Sequence, residues 1–510
     1  MKARTAKEGT RTVKPSLRAV ARRLCWSALA TSAIATAGGA VTTPGALGAE
    51  AGVNVGGGTA AEVSDIRTLA THWVRMFVAW PELEPSRGNY NALWFAAYER
   101  LHRELPAGTK VILDVVDTPS WETGSSDRHA PPASAQDYAA FVAGLAQRLS
   151  GRVTAYEIWN EEDEPRWWTG APDPGSYAQL LRASYPAIKA ADPNAQVILG
   201  GLTGNDYAFV EGVYAAGGKG FFDAVGVHTD TACDILSPYD FLRGPDNRMI
   251  PDSFLAYREV RAVMLANGDD KPVWMTEASW RTTSAVCSEG AWAGQKPEGV
   301  TPEQQATYLS QAYHCLAQDP YVQVALWFPL LDERGIVSGL VRTNGSRKPA
   351  FASMRSYVQN GDQLHESCGV FTGPRINVLS PANKITYSGP LPIHVTATSS
   401  VGVFRITLRV DGKLIRNFGE HTYPTTLSGV LTWQGAKHIA LGRHTLAFLA
   451  YDKQRNVSET SITINHVAAS RSGSSHSKAH GGSRTASGSH RHHASKRHRA
   501  RKHKRRHRRH

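Results

Sequence analysis

Residues 153–165 read VTAYEIWNEEDEP. The first seven are mostly apolar on both faces, as a strand is when helices cover its sheet. Positions 156–165 then hold five acids: Glu157, Glu161, Glu162, Asp163 and Glu164. Like charges closing an apolar strand are costly to bury unless a site uses them. Which of the five acts depends on the rest of the chain.

Outward from this stretch, one pattern recurs from 52 to 358: apolar strand, loop, amphipathic helix. The strand candidates are GVNVG (52–56), WVRMFVAW (73–80), KVILDVV (110–116), VTAYEIW (153–159), QVILGG (196–201), DAVGVH (223–228), PVWMTE (272–277) and VQVALWF (322–328). Segments such as YNALWFAAYERLHREL and AQDYAAFVAGLAQRLSG between them have helical spacing. Eight such units predict an α/β fold, a (β/α)8 TIM barrel. A doubly wound sheet is the alternative, but GVNVGGG lacks the context of a phosphate-binding glycine fingerprint.

In a TIM barrel the strand C-termini build the site. Strand four ends in Trp159-Asn160-Glu161, strand seven in Thr276-Glu277 and strand eight in Leu326-Trp327. Glu161 and Glu277 therefore meet at one mouth. Glycoside hydrolysis needs such a pair, one carboxyl to protonate the leaving oxygen and one to meet the oxocarbenium ion; a retaining enzyme holds them roughly 5–5.5 Å apart. Arg75, inside strand two, is a neighbour suited to keeping Glu277 ionised.

The other acids have blander readings. Glu157, mid-strand, is support inside the barrel; Glu162, Asp163 and Glu164 are loop surface. Asp114 and Asp117 either bind sugar hydroxyls or cap a loop. Tryptophans 80, 121, 167, 168, 280, 292 and 327 fall at or just after strand ends. Sugar C–H faces stack on indoles, so these suggest a carbohydrate cleft, with Trp292 read as loop packing.

Trp159-Asn160-Glu161 after a fourth strand and Glu277 ending a seventh resemble the clan A glycoside hydrolases. VRMFVAWPELEPSRGNYN (74–91), DTPSW (117–121), Trp327 and RKPAFASMRSY after it agree, and together are similar to glycoside hydrolase families 39 and 5. The resemblance spans 52–358. It implies a retaining mechanism with Glu161 as acid/base and Glu277 as nucleophile. Asn160 would bind the sugar 2-hydroxyl, Arg75 support the nucleophile and His228 lie near the reacting sugar. Trp327 would be a stacking floor. By position, Trp167 and Trp168, close after Glu161, are the better candidates for sugar contacts, with Trp121 a further one. Many members carry a Tyr just after the strand-six His; here the chain reads His228-Thr229-Asp230, and Tyr239 is the nearest residue to fill that role.

The remaining segments suggest export. Of 510 residues, 1–49 carry a net +7 and 468–510 a net +14, which leaves 50–467 at −8 within the total of +13. An acidic body argues against a nucleic-acid face. Residues 1–49 read as a signal peptide: a basic lead ending in Arg22-Arg23, an uncharged apolar stretch, and small residues suiting cleavage near Ala49 or Ala51. An uncleaved anchor is the alternative. Residues 50–360 form the barrel and 371–466, with short alternating strands and Asp-Gly and Leu-Gly turns, an immunoglobulin-like β-sandwich resembling bacterial modules. Residues 468–510 lack apolar periodicity and read as a disordered basic tail that would hold an anionic cell-wall polymer.

With Cys25 in the signal, four cysteines remain. Barrel geometry pairs Cys233 with Cys287 across the adjacent loops after strands six and seven. It pairs Cys315, before strand eight, with Cys368 in the linker. No spacing points to a metal or cofactor. The expectation is a secreted or wall-associated bacterial glycosidase acting on a β-linked polysaccharide or oligosaccharide, with no specific nucleic-acid partner and no membrane contact after signal cleavage. The opposing reading is a non-catalytic carbohydrate-binding surface protein on a barrel scaffold.

Overall fold

The computed structural model describes residues 48–230, 237–288, 294, 297–333, 335–419 and 422–469. The expected signal up to residue 47, Cys233, Trp292 and the tail from 470 lie outside them. Eight parallel strands close into a barrel: β1 (Glu50–Asn54), β2 (Trp73–Ala79), β3 (Lys110–Val116), β4 (Ala155–Asn160), β5 (Gln196–Leu202), β6 (Ala224–Asp230), β7 (Val273–Ser279) and β8 (Val322–Trp327). Helices follow them: α1 (Ala60–Leu69), α2 (Ala92–Glu104), α3 (Ala135–Arg148), α4 (Pro174–Ala191), α5 (Tyr207–Ala215), α6 (Tyr257–Ala266), α7 (Pro302–Gln318) and α8 (Pro349–Asn360). Local chemistry starts several of these helices. Thr59-Glu62 and Thr301-Gln304 form capping boxes for α1 and α7, and Asp173 caps α4 ahead of Pro174.

β1 starts at Glu50, two residues before the strand expected from the pattern. It closes the barrel, with Glu50 and Ala51 in register with Val324 and Ala325 of β8. Cleavage near Ala51 would cut into that seam, whereas cleavage after Ala49 would leave β1 whole.

The two-residue period of the strands stacks the interior in layers. At the N-terminal end, Trp73 and Trp274 meet edge to face at 4.9 Å and plug the barrel with Ile112, Ala155, Ile198, Ala224, Val324 and Leu326. Two residues further along four of these strands stand Arg75, Asp114, Glu157 and Thr276, all buried. The interior thus changes from hydrocarbon to charge within one layer, and the site lies above the charged one.

After the barrel, β9 (Arg375–Ser380), β11 (Leu391–Thr398) and β14 (Thr426–Trp433) form a three-stranded antiparallel sheet. β10 (Ile385–Tyr387), β12 (Val403–Val410), β13 (Lys413–Phe418), β15 (Gly442–Asp452) and β16 (Val457–His466) form a five-stranded one. Their alternating inward residues share one core, which includes Val395, Ile406, Leu408, Phe448 and Trp433. The β15–β16 turn meets the loop between β6 and α6. Arg243 Nε donates to Asn456 Oδ1 at 2.9 Å, Gln454 Nε2 donates to Asp240 Oδ1 at 3.2 Å, and Phe241 stacks on Phe371 of the linker at 4.9 Å. A Cys315–Cys368 disulfide fastens the linker to α7. Cys287 is also disulfide-bonded; its expected partner Cys233 lies outside the described residues.

Candidate active site

At the C-terminal mouth of the barrel, one carboxylate oxygen each of Glu161 and Glu277 and a ring nitrogen of His228 lie within 4.8 Å of one another. Of the residues expected from sequence, the fold brings together Glu161, Glu277, Asn160, Arg75 and His228.

Arg75 is the hub. Its side chain is fully buried, and each nitrogen is committed: Nε to Glu157 Oε2 at 2.5 Å, Nη1 to Asn54 Oδ1 at 2.9 Å and Glu277 Oε1 at 2.6 Å, Nη2 to Asp114 Oδ2 at 2.8 Å and Asn160 Oδ1 at 3.0 Å. The planar five-donor fork thereby fixes one cleft carboxylate and one cleft amide together. Burial alone would make its cation less stable, but Glu157, Asp114 and Glu277 hold it protonated well beyond its ordinary range.

Glu161 is reached through a strained turn. Trp159 (φ 71°) and Glu161 (φ 47°) both take left-handed backbone, sparsely populated for residues with a Cβ. Glu161 N–H bonds Gly201 O at 3.0 Å, and Trp159 Nε1 donates to Trp167 O at 2.8 Å, so β5 and the following loop hold the turn. The end of β5 must be bare for this packing. A Cβ on Gly201 would lie 1.9 Å from His228 Nε2, and one on Gly200 2.3 Å from Glu162 Oε2.

His228 bridges the site. Nδ1 is 3.0 Å from Glu161 Oε1, and Nε2 is 3.2 Å from Thr276 Oγ1 and 3.8 Å from Glu277 Oε1. Thr276 Oγ1 in turn donates to Glu157 Oε1 at 2.7 Å. Burial works against the imidazolium, yet Glu277 and Glu161 raise its pKa above 6.5. Burial likewise pushes Glu161 up, but the hydrogen bond and charge of His228 prevail and hold it below the usual carboxylate value. At Glu277 burial prevails over His228 and Arg75, and its pKa is raised.

The cleft encloses about 370 Å³. Phe77 and Trp167, stacked 7° from parallel at 6.1 Å, line one side, while Phe328, Ile336 and Ser338 lie on the β8 side. Of the tryptophans expected to meet sugar, Trp167 lines the cleft, and Trp327, Trp168 and Trp121 are elsewhere. Trp327 is fully buried, packed on Trp280 with Nε1 donating to Ser338 O, because β8 turns that ring away from the cavity. Trp168 is buried against Trp159 and Tyr177. Trp121 is half-buried edge-on to Trp80, with Nε1 donating to Glu84 O. Tyr239 packs edge-on to His314, and among the described residues no tyrosine lines the cleft by Glu277; Thr229 and Ser279 do.

Two acids also differ from expectation. Glu162 is fully buried, and burial pushes its pKa well up against the pull of neighbouring Tyr177. Asp163 is pushed up to about 8, chiefly by burial, although it accepts from Thr203 N–H at 3.1 Å. Asp114 binds Arg75 rather than capping a loop, and Asp117 pairs with Arg128. The sequence reading missed Asn54, Phe77 and Arg166. Phe77 was within reach, because it lies two residues beyond Arg75 on the same face of β2.

Residues 374–448 match the family model of the bacterial Ig domain. No curated protein matches the chain. Among solved structures it is similar to a family 39 glycoside hydrolase from Bacteroides cellulosilyticus WH2, at 18% identity and a TM-score of 0.47, covering 76% of this chain and 80% of that one. It is also similar to a monomeric beta-xylosidase from Caulobacter crescentus CB15 (14% identity, TM-score 0.46, 71% and 82% covered). A third is GH5_18 from Streptomyces cattleya in complex with GlcNAc (15% identity, TM-score 0.46, 67% and 83% covered).

Proposed function

We propose that the chain is an exported retaining glycosidase that cleaves a β-linked glycan by double displacement, with Glu277 as nucleophile and Glu161 as acid/base. One observation carries the reading: carboxylate oxygens of the two lie within 4.8 Å across the barrel mouth. An inverting pair is held about 6.5–9.5 Å apart to admit water, whereas a retaining pair stands close enough for direct attack on C1.

The reaction needs Glu277 ionised and a proton at Glu161. Arg75 Nη1 supports the Glu277 anion directly, and Glu161 shares its proton with His228 over 3.0 Å. In the free site the contact favours the proton on the imidazole, since it raises the pKa of His228 and lowers that of Glu161. A bound sugar excludes water, disfavours the separated charges and returns the proton to Glu161. Glu277 then attacks C1 as Glu161 protonates the departing oxygen. In the second half Glu161 deprotonates a water that frees the sugar from Glu277. Asn160, anchored by Arg75, is suited to the sugar 2-hydroxyl, and the Phe77–Trp167 pair offers an aromatic face to the sugar.

Screening β-glycans with wild type and Glu277→Ala tests this: turnover is expected only in the wild type, and binding without turnover in both would favour the carbohydrate-binding scaffold. A 2-fluoro glycoside should label Glu277; label on another residue would overturn the assignment. We infer wall retention for the basic tail. Salt-dependent release from cell envelopes should disappear on deleting 468–510, and unchanged retention would refute it.

A further inference from the structure

Arg166 has no part in the proton chemistry above. Its side chain is 72% exposed, and among the described residues it makes no hydrogen bond; Nη2 stands 3.5 Å from Glu161 Oε2. That is the oxygen facing away from His228, which holds Oε1. Arg166 therefore stands beside the proposed acid/base, where the departing sugar would lie.

The backbone that carries the arginine is held in place. Its carbonyl is bonded to His129 Nδ1 at 2.7 Å, the Trp167 carbonyl accepts from Trp159 Nε1, and the Trp167 ring stacks on Phe77. Arg281 lines the same cleft; Nη2 donates to Gly335 O at 2.7 Å, a salt bridge joins it to Glu298, and its buried Nε has no partner among the described residues. Among the described residues, Glu161 and Glu277 are the carboxylates that line this cleft. A rim with two arginines thus sits in a body whose residues 50–467 carry a net −8.

We propose, resting on the hydrolase reading, that the substrate is an acidic glycan in which the leaving-side sugar is a uronic acid held through its carboxylate by Arg166. A planar carboxylate matches the guanidinium fork, whose remaining donors face the cleft beyond the 3.5 Å contact with Glu161. The arrangement also serves the chemistry. Arg166 beside Glu161 favours the ionised form, which opposes its work as an acid. A bound uronate neutralises Arg166 and releases that hold when the proton is needed.

The experiment measures kcat/KM for wild type, Arg166→Gln and Arg166→Lys on glucuronic-acid-containing β-glycans and on the same glycans after carboxyl reduction. Wild type should prefer the acidic member by roughly 10- to 100-fold, the scale of one charge-assisted contact. The preference should collapse in Arg166→Gln, return in part with Lys, and weaken with salt. Using the ratio cancels any general effect of Arg166 on Glu161. Equal cleavage of both members, a wild-type preference for the reduced one, or an unchanged ratio in Arg166→Gln would overturn the proposal while the hydrolase reading stands. Turnover of neither member or of any other β-glycan would sink both.

Discussion

At the scale of single residues, the site is organised by one saturated cation. Removing Arg75 strands Asp114, Glu157 and Glu277 in a buried layer. Arg75→Met should cost about 3–5 kcal/mol in urea unfolding and abolish turnover; an unchanged midpoint would contradict its place as the hub. Activity against pH should be bell-shaped. The acid limb should lie above 4.5, because Glu277's pKa is raised and it must be ionised, and the alkaline limb above 6.5, because the shared proton is lost through His228's raised pKa. In His228→Gln the alkaline limb belongs to Glu161 alone and should move to lower pH. Glu162 and Asp163 act on stability. Their folded pKa values are raised, so the stability linked to them is complete below the ordinary carboxylate range and declines as pH rises, for Asp163 through about 8. Asp163→Asn should therefore raise the melting temperature at pH 8 relative to wild type more than at pH 5. The position of Glu161 was legible because the strand count fixed where it stands. The burial of Glu162 was not, since it depends on a glycine of another strand, Gly200.

At the scale of elements, the eight strands were legible from their apolar composition, and their ends were good enough to aim Glu161 and Glu277 at one mouth. The cleft wall after β8 was not, because it is irregular chain held by side chains. Buried Lys348 Nζ donates to Asp332 Oδ1 at 2.8 Å, Thr282 Oγ1 at 2.9 Å and Val337 O at 2.9 Å, fixing the loop that carries Gly335, Ile336 and Ser338. Lys348→Met leaves Asp332 buried without its cation. It should raise KM several-fold with a smaller change in kcat, and lower the melting temperature; unaltered KM would show that the loop holds itself. Trp327, Trp168 and Trp121 were misread for a related reason. A tryptophan at or past a strand end can pack into the barrel wall as Trp327 does or face the cleft as Trp167 does, and periodicity does not distinguish the two.

At the scale of the whole molecule, the module after the barrel braces a loop on the face that carries the site. Its contacts with the β6–α6 loop come from Gln454 and Asn456 on a turn about 215 residues downstream, Gln454 lying 214 positions from Asp240. The double substitution Arg243→Ala, Gln454→Ala should shorten the half-life of thermal inactivation without altering kcat on a small substrate; an unchanged half-life would make the module a passive neighbour. The module was readable as a sandwich from its alternation and turns. Its docking was not, because polar turn residues look alike whether they face solvent or a partner.

The bare end of β5 reaches beyond this chain. Ala at 200 or 201 would collide with Glu162, the Trp159 carbonyl or His228. A descendant could change most of the surface and still be unable to place a methyl there without rebuilding the mouth. Two consecutive glycines closing a fifth strand, about 40 residues after a Trp-Asn-Glu, are thus a marker for tracing chains that share this site where overall identity has decayed too far to help.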